Sequence, residues 1–122
     1  MDELRARLRS FRYAFAGVRL LFGKEHNARI HATITVLVVV AGIVLRVSPM
    51  EWGVLVICIG MVLSAEAFNS AIERIADYLT TERDERIRDI KDLAAGAVLL
   101  CAIAAAIVGL IVFVPHIVYC YV

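Results

Sequence analysis

The chain has 122 residues, a length that suits one domain. Apolar residues make up 61% of it, well above the about 45–50% of an ordinary soluble domain, so the composition excludes such a domain and indicates a membrane protein. The net charge of +1 gives no support to nucleic-acid binding.

Residues 1–26 predict an amphipathic helix that lies in the headgroup plane of a membrane. Apolar residues recur there at spacings of 3–4, and arginines between them suit lipid phosphates. A plain anchoring arm is the alternative that this pattern leaves open. The apolar positions are Leu4, Leu8, Phe11, Phe15, Val18 and Phe22.

Three apolar stretches follow, and each predicts a membrane-spanning helix: 28–47, 50–78 and 90–114. The segment Leu93–Val114 holds 22 residues without a charge, and as a helix it is about 33 Å long, enough to cross a bilayer core. Residues 79–88 carry both charge signs and predict a solvated loop. The sequence therefore predicts a single all-α membrane domain over residues 1–122.

Two local patterns refine these helices. Ser48, Pro49 and Glu51 suit the N-cap, N1 and N3 positions of a capping box, so the second span should begin there. Along the third span, small residues at every fourth position favour close packing between helices, and Pro115 and His116 should mark its outer end. The small residues are Ala97, Cys101, Ala105 and Gly109.

The basic residues predict the orientation. Residues 1–29 hold seven Lys and Arg and residues 82–92 hold four, whereas the tail after Val114 holds none. The positive-inside rule then places the N-terminus and the 79–88 loop in the cytoplasm. Three cysteines in apolar surroundings, without CxxC spacing, are predicted to be packing residues: Cys58, Cys101 and Cys120.

Four polar residues near the end of the second span form one stripe. Glu66, Asn69, Glu73 and Asp77 are spaced 3, 4 and 4, so on a helix they fall within an arc of roughly 80°. A carboxylate costs about 2.5–3.5 kcal/mol at a bilayer centre, so this stripe should face protein, metal or water.

The predicted topology brings two further polar sets to the same membrane face, Glu25–His31 and Lys91-Asp92. Two carboxylates from different helices suit Mg²⁺ held together with substrate phosphates, and Glu25 and Glu73 are the obvious pair. Glu66, the deepest carboxylate, suits a general base. A polar network that only clamps the helices together is the alternative without chemistry.

The segment Gly17–Lys24 is not a Walker A motif. Five residues separate its glycines where the motif has four, Lys24 is followed by Glu25, and no strand precedes it.

With these residues in view, the chain resembles the small prokaryotic integral-membrane lipid kinases, the diacylglycerol kinase and undecaprenol kinase family. The family's E-x-x-N-[ST]-A-I-E-x-x-x-D motif stands here at Glu66–Asp77, and its Lys-Asp followed by small residues stands at Lys91–Ala97. Its Tyr-x-x-x-Gly stands at Tyr13 and Gly17, upstream of Glu25. The resemblance covers residues 10–113.

The resemblance implies a homotrimer that transfers the γ-phosphate of ATP, with Mg²⁺, to a lipid hydroxyl in the bacterial cytoplasmic membrane. It implies Glu66 as the catalytic base and Glu25 and Glu73 as metal ligands. A weaker nucleotide contact is implied near residues 82–84, and the N-terminal arginine that touches substrate stays open. The implied ATP-binding residues are Tyr13, Asn69, Asp77, Lys91 and Asp92.

Undecaprenol is favoured over diacylglycerol as the lipid, because Glu25-x-Asn27-x-Arg29-x-His31 looks more like the undecaprenol kinase branch. Asn27, Arg29, His31 and Ala95 are the candidate substrate contacts, and for His31 a polar residue at the interface is the alternative. Two other classes remain: a proton-coupled transporter, disfavoured by three spans, and a non-catalytic subunit of a larger complex, which would not need the carboxylates.

Overall fold

The computed structural model describes residues 1–121, which form helices without any strand. This confirms the all-α prediction, with one N-terminal helix followed by three helices long and apolar enough to cross a membrane. The helices are α1 (Asp2–Lys24), α2 (His26–Val44), α3 (Pro49–Leu79) and α4 (Glu85–Tyr121).

Helices α1 and α2 meet at Glu25, whose extended backbone (φ −96°, ψ 117°) breaks the helical run. Arg29 fixes this corner, because its guanidinium donates to the carbonyl oxygens of Phe22 (3.2 Å) and Gly23 (2.5 Å). These carbonyls lie in the last turn of α1, where no further helical N–H can reach them. Helix α1 thus ends two residues before the predicted boundary at residue 26.

A short turn joins α2 to α3. Helix α2 ends at Val44, and Arg46 takes a positive φ of 54° in the turn. The capping box at the start of α3 is confirmed: the Ser48 hydroxyl accepts from the Glu51 N–H at 3.2 Å, and Glu51 Oε1 accepts from the Ser48 N–H at 3.0 Å.

Helix α4 is longer than the predicted span 90–114 at both ends. It begins at Glu85 because Asp84 Oδ1 accepts the Arg86 N–H at 2.8 Å, which caps the first turn. It also continues through Pro115, since a proline removes only one helical donor and a membrane helix can tolerate that loss. The irregular loop is therefore confined to residues 80–84.

Helices α3 and α4 form the largest interhelical contact, and α2 packs on α3. A hydrophobic cluster of Val47, Leu55 and Val112 lies at the end of the bundle that holds the α2–α3 turn, here named the hairpin end. Next to it the α2 backbone at Gly42 packs directly on the Trp52 ring. By contrast, Gly109 in the predicted small-residue stripe has open space around it within this chain.

Candidate active site

The opposite end of the bundle, here named the acidic end, gathers the C-terminus of α1, the start of α2, about the last four turns of α3 and the start of α4. Helix α3 presents the predicted polar stripe on one side, and burial falls along it. Glu66 and Asn69 are buried, Glu73 is half-buried, and the Asp77 side chain is 66% exposed. Burial therefore decreases along the stripe, from the Glu66 carboxylate enclosed by protein to the Asp77 carboxylate open to solvent.

Glu66 is the enclosed carboxylate of this site. Its side chain is 3% exposed, and its Oε2 lies 3.7 Å from Nε2 of His31 on the facing helix α2. The His31 side chain is 19% exposed, so one side of this pair remains open. A carboxylate in this setting can accept a proton from a hydroxyl group that arrives beside it.

One turn further along α3, Asn69 donates through Nδ2 to Glu73 Oε1 at 3.3 Å. The amide oxygen of Asn69 is buried and has no partner among the described residues, and the same holds for the Ser70 hydroxyl. Buried polar atoms are nearly always hydrogen-bonded, so each of these two atoms indicates a place where a ligand or a partner is received.

Glu25, at the α1–α2 corner, is held by an arginine that no motif in the sequence indicated. Arg74 donates to Glu25 Oε1 through Nη2 at 3.0 Å and through Nε at 3.3 Å. Both residues line a cavity of about 360 Å³ between α1 and α3, which Ser70 also lines. The only sequence signal was a lone basic residue inside an acidic segment, and nothing in the spacing pointed across 49 residues to Glu25.

Helix α4 contributes Lys91 to the acidic end. Its ammonium group donates to Asp77 Oδ1 at 2.5 Å, and Glu73 adds a second attractive charge. Because α4 begins at Glu85, Lys91 stands in the second turn, opposite the last turn of α3. An ammonium group at the solvated end of the stripe is a suitable partner for phosphate oxygens.

The donor atoms at the acidic end fit Mg²⁺ only if the nucleotide completes the coordination. The described residues contain no group of three or more His, Cys, Asp or Glu that could hold a metal alone. Mg²⁺ in kinases is commonly bound by one or two carboxylates together with phosphates. Glu73 supplies one such carboxylate beside the Asn69 amide, whereas Glu25 is bound to Arg74 at the α1–α2 corner.

The remaining candidate residues lie at the surface of the chain. Arg29 is occupied at the α1–α2 corner, where it bonds the carbonyls of α1. Four others are exposed, so their roles stay predictions: Tyr13, Asn27, Asp92 and Ala95. Asp84, in the weakly implied nucleotide loop, is engaged in capping α4. The pKa of Asp84 lies below its usual range because its carboxylate accepts the backbone N–H of Arg86 and then the Arg86 side chain.

Known proteins resemble this chain over most of its length. The family model of prokaryotic diacylglycerol kinase matches residues 12–113. An undecaprenol kinase of Bacillus subtilis is 33% identical over 93% of both chains. A diacylglycerol kinase of Synechocystis sp. is 40% identical over 87% of this chain and 61% of its own length. The diacylglycerol kinase of Escherichia coli K12 is 30% identical over 85% of both chains.

These relatives are named as kinases that act on lipid alcohols, which agrees with a membrane protein that carries carboxylates, an amide and a lysine at one end of its bundle. They give no support to the transporter alternative. ATP follows as the phosphoryl donor from the kinase family. The chain belongs to the prokaryotic diacylglycerol kinase family and is a lipid kinase.

Proposed function

We propose that this kinase transfers the γ-phosphate of Mg-ATP to the hydroxyl group of undecaprenol. The observation that best supports this reaction is that the enclosed Glu66 carboxylate lies beside the partly exposed His31 ring. In the proposed step the lipid oxygen bonds to the γ-phosphorus, Glu66 takes the hydroxyl proton, and the bond from the γ-phosphorus to the bridging oxygen of ADP breaks.

The other residues would position the substrates and neutralise the negative charge of the phosphate groups. A loose phosphoryl-transfer transition state needs little covalent help, so charge placement supplies most of the catalysis. Glu73 and Glu25 would hold Mg²⁺, whose bound charge would neutralise phosphate oxygens. Lys91 lies at the solvated end of the stripe, where it can leave Asp77 for a phosphate. Asn69 is predicted to contact the nucleotide through the amide that now meets Glu73.

Undecaprenol is our choice of substrate for two reasons. The pattern Glu25-x-Asn27-x-Arg29-x-His31 looks like the undecaprenol kinase branch, and the Bacillus subtilis undecaprenol kinase aligns over 93% of both chains. Diacylglycerol is the second candidate, favoured by the higher identity of 40% to the Synechocystis diacylglycerol kinase.

The assembly belongs to the same proposal. We place the protein in the bacterial cytoplasmic membrane, with the N-terminus and the acidic end in the cytoplasm, as a homotrimer whose sites form between subunits. Exposed candidate residues such as Tyr13 and Asp92, and long apolar helix faces, suit a neighbouring subunit. Native mass spectrometry of the protein released from detergent should give three chains per particle.

One assay tests the reaction. The purified protein in bicelles receives Mg-ATP with either undecaprenol or diacylglycerol, and phosphorylated lipid is quantified. We expect faster turnover of undecaprenol. Faster turnover of diacylglycerol would show that diacylglycerol, and not undecaprenol, is the preferred substrate. If neither lipid were phosphorylated, the proposed reaction would be rejected. Glu73→Gln should lower activity in a way that added Mg²⁺ partly restores, and a loss insensitive to Mg²⁺ would reject its role as a metal ligand.

A further inference from the structure

A second cavity, of about 300 Å³, lies between α2, α3 and α4, away from α1. Helix α2 lines it with one face that includes His31, Thr35 and Val38. Helix α3 contributes Leu55 and Val62, and α4 forms the third wall. Because α2 and α4 make little direct contact, the cavity opens sideways between these two helices.

The cavity leads to the proposed catalytic base. His31 lines it and also lies 3.7 Å from Glu66. Val62 lines it as well and stands four residues before Glu66, so the α3 face that borders the cavity continues directly into the buried carboxylate. A molecule that occupied the cavity would therefore present its end at His31 and Glu66.

The far end of the cavity is closed by apolar side chains. Leu55, Val38 and Phe113 line it there and pack in the hydrophobic cluster at the hairpin end. Along α4 the lining runs from Ala102 to Phe113, a stretch of twelve residues and about 16 Å of helix. The cavity is thus a channel that opens between α2 and α4, apolar at the hairpin end and polar at the end that His31 lines.

The wall that α4 provides is built from small residues. Ala105 and Gly109, which the sequence predicted to be helix-packing positions, face this cavity. A Cβ added at Gly109 would meet no atom within 4 Å, so the space beside α4 is open. A chain that carries methyl branches needs such width.

Hydrogen-bonding capacity along the channel is low. Thr35 already donates to the carbonyl of His31 at 2.8 Å, and Cys58 is only a weak donor. Diacylglycerol carries two ester carbonyls within a few bonds of its hydroxyl group, and their burial without donors is unfavourable. An isoprenoid alcohol is hydrocarbon up to its single hydroxyl group, so it fits this lining better.

We propose that the interhelical cavity binds the hydroxyl-proximal isoprene units of the lipid alcohol and holds the hydroxyl group between His31 and Glu66. This assignment rests on the proposed kinase reaction. A volume of about 300 Å³ is at the lower limit for ligand pockets, so only the first units enter, and the rest of a long chain leaves between α2 and α4 into the bilayer.

Variants that fill the cavity test the proposal. Gly109→Leu and Ala105→Leu each fill the channel, and Gly60→Leu is the matched control, because Gly60 has open space around it but does not line the cavity. With farnesol as a short isoprenoid alcohol, we expect the KM for the alcohol to rise at least tenfold in both filled variants. The KM for ATP should stay unchanged, and the control should match the wild type.

A binding measurement without turnover separates the cavity from the reaction. Trp52 is the only tryptophan and packs on the cluster that closes the channel. A farnesol analogue brominated at its tail should quench Trp52 fluorescence saturably in the wild type and in Gly60→Leu. Unlabelled farnesol should restore the fluorescence and diacylglycerol should not, and the filled variants should lose the saturable quenching.

The outcomes are distinct. Unchanged KM and unchanged quenching in the filled variants would overturn the cavity assignment while the kinase reaction stands. A filled variant that instead loses its oligomeric mass, with an unchanged KM for the alcohol, would show that a helix of a second copy occupies the cavity, which also overturns it. If the wild type showed saturable quenching but phosphorylated no alcohol, the proposed reaction would be rejected while the cavity would still be a binding site for the alcohol.

Discussion

Nε2 of His31 lies 3.7 Å from Oε2 of Glu66 across the α2–α3 interface, and this places a titratable ring beside the most enclosed carboxylate of the stripe. The two residues stand where the interhelical cavity meets the acidic end. A lipid hydroxyl that reached this point would touch the base directly, whereas the solvated end of the stripe stays open to the nucleotide. The burial gradient from Glu66 to Asp77 therefore suits a reaction between a membrane substrate and a water-soluble one.

Glu66→Gln should lower lipid phosphorylation by about 100- to 10,000-fold, because general base catalysis contributes about this much and the amide cannot take the proton. The substitution keeps the side-chain shape, so the variant should keep its helical circular dichroism and its mass in detergent. Glu3→Gln, an exposed carboxylate in the first turn of α1, is the control and should keep full activity. Near-full activity of Glu66→Gln would reject the base assignment.

Arg74→Met should lower the Mg²⁺ concentration needed for half-maximal activity by about two- to fivefold. The arginine binds the Glu25 carboxylate and would compete with the metal for it, and an exposed ion pair is worth at most about 1 kcal/mol, which limits the effect to this range. Arg46→Met, in the exposed turn at the hairpin end, is the control for the lost charge. An unchanged or higher Mg²⁺ requirement in Arg74→Met would show that Arg74 does not compete with the metal for Glu25.

Gly42→Ala should destabilise the α2–α3 hairpin by about 1–3 kcal/mol through overpacking. The added Cβ would lie 2.6 Å from Cη2 and 2.8 Å from Cζ2 of the Trp52 ring. The midpoint of SDS-induced unfolding, followed by Trp52 fluorescence, should fall. Gly60→Ala meets no neighbour and should be neutral or slightly stabilising, since alanine favours helices. Equal midpoints for the two variants would contradict this contact.

Asp84 should make the start of α4 sensitive to acid. Its pKa is lowered in the folded chain by the Arg86 backbone N–H and then by the Arg86 side chain. The cap therefore contributes stability above the ordinary aspartate pKa of about 3.9, and that contribution is lost as the pH falls through the lowered folded pKa. Amide exchange at Arg86–Arg88, corrected for intrinsic rates, should rise more below pH 4 than at neighbouring turns.

Asp84→Asn is the matched variant for that experiment, because asparagine caps a helix as well as aspartate but does not titrate there. Its first turn of α4 should keep its protection in acid. The same acid-induced exchange in both proteins would mean that another group unfolds the start of α4.

Several parts of the fold were predictable because they depend on neighbours in sequence. The capping box at Ser48 needs only residues three apart, and an amphipathic or spanning helix needs only its apolar periodicity and length. The ends of α4 were less predictable, since the Asp84 cap and the continuation through Pro115 depend on small local preferences that the charged loop and the proline obscured.

The candidate site divides in the same way. The sequence alone determined that Glu66, Asn69, Glu73 and Asp77 share one helix face, since a helix repeats every 3.6 residues. The tertiary structure decided which residues meet that face, His31 at Glu66 and Lys91 at Asp77. It also decided that Arg74, beside the stripe, binds Glu25 across 49 residues, and it formed the interhelical cavity that leads to the base. Such pairings depend on the rotation and axial register of each helix. Packing between distant segments sets both, and no single helix encodes them.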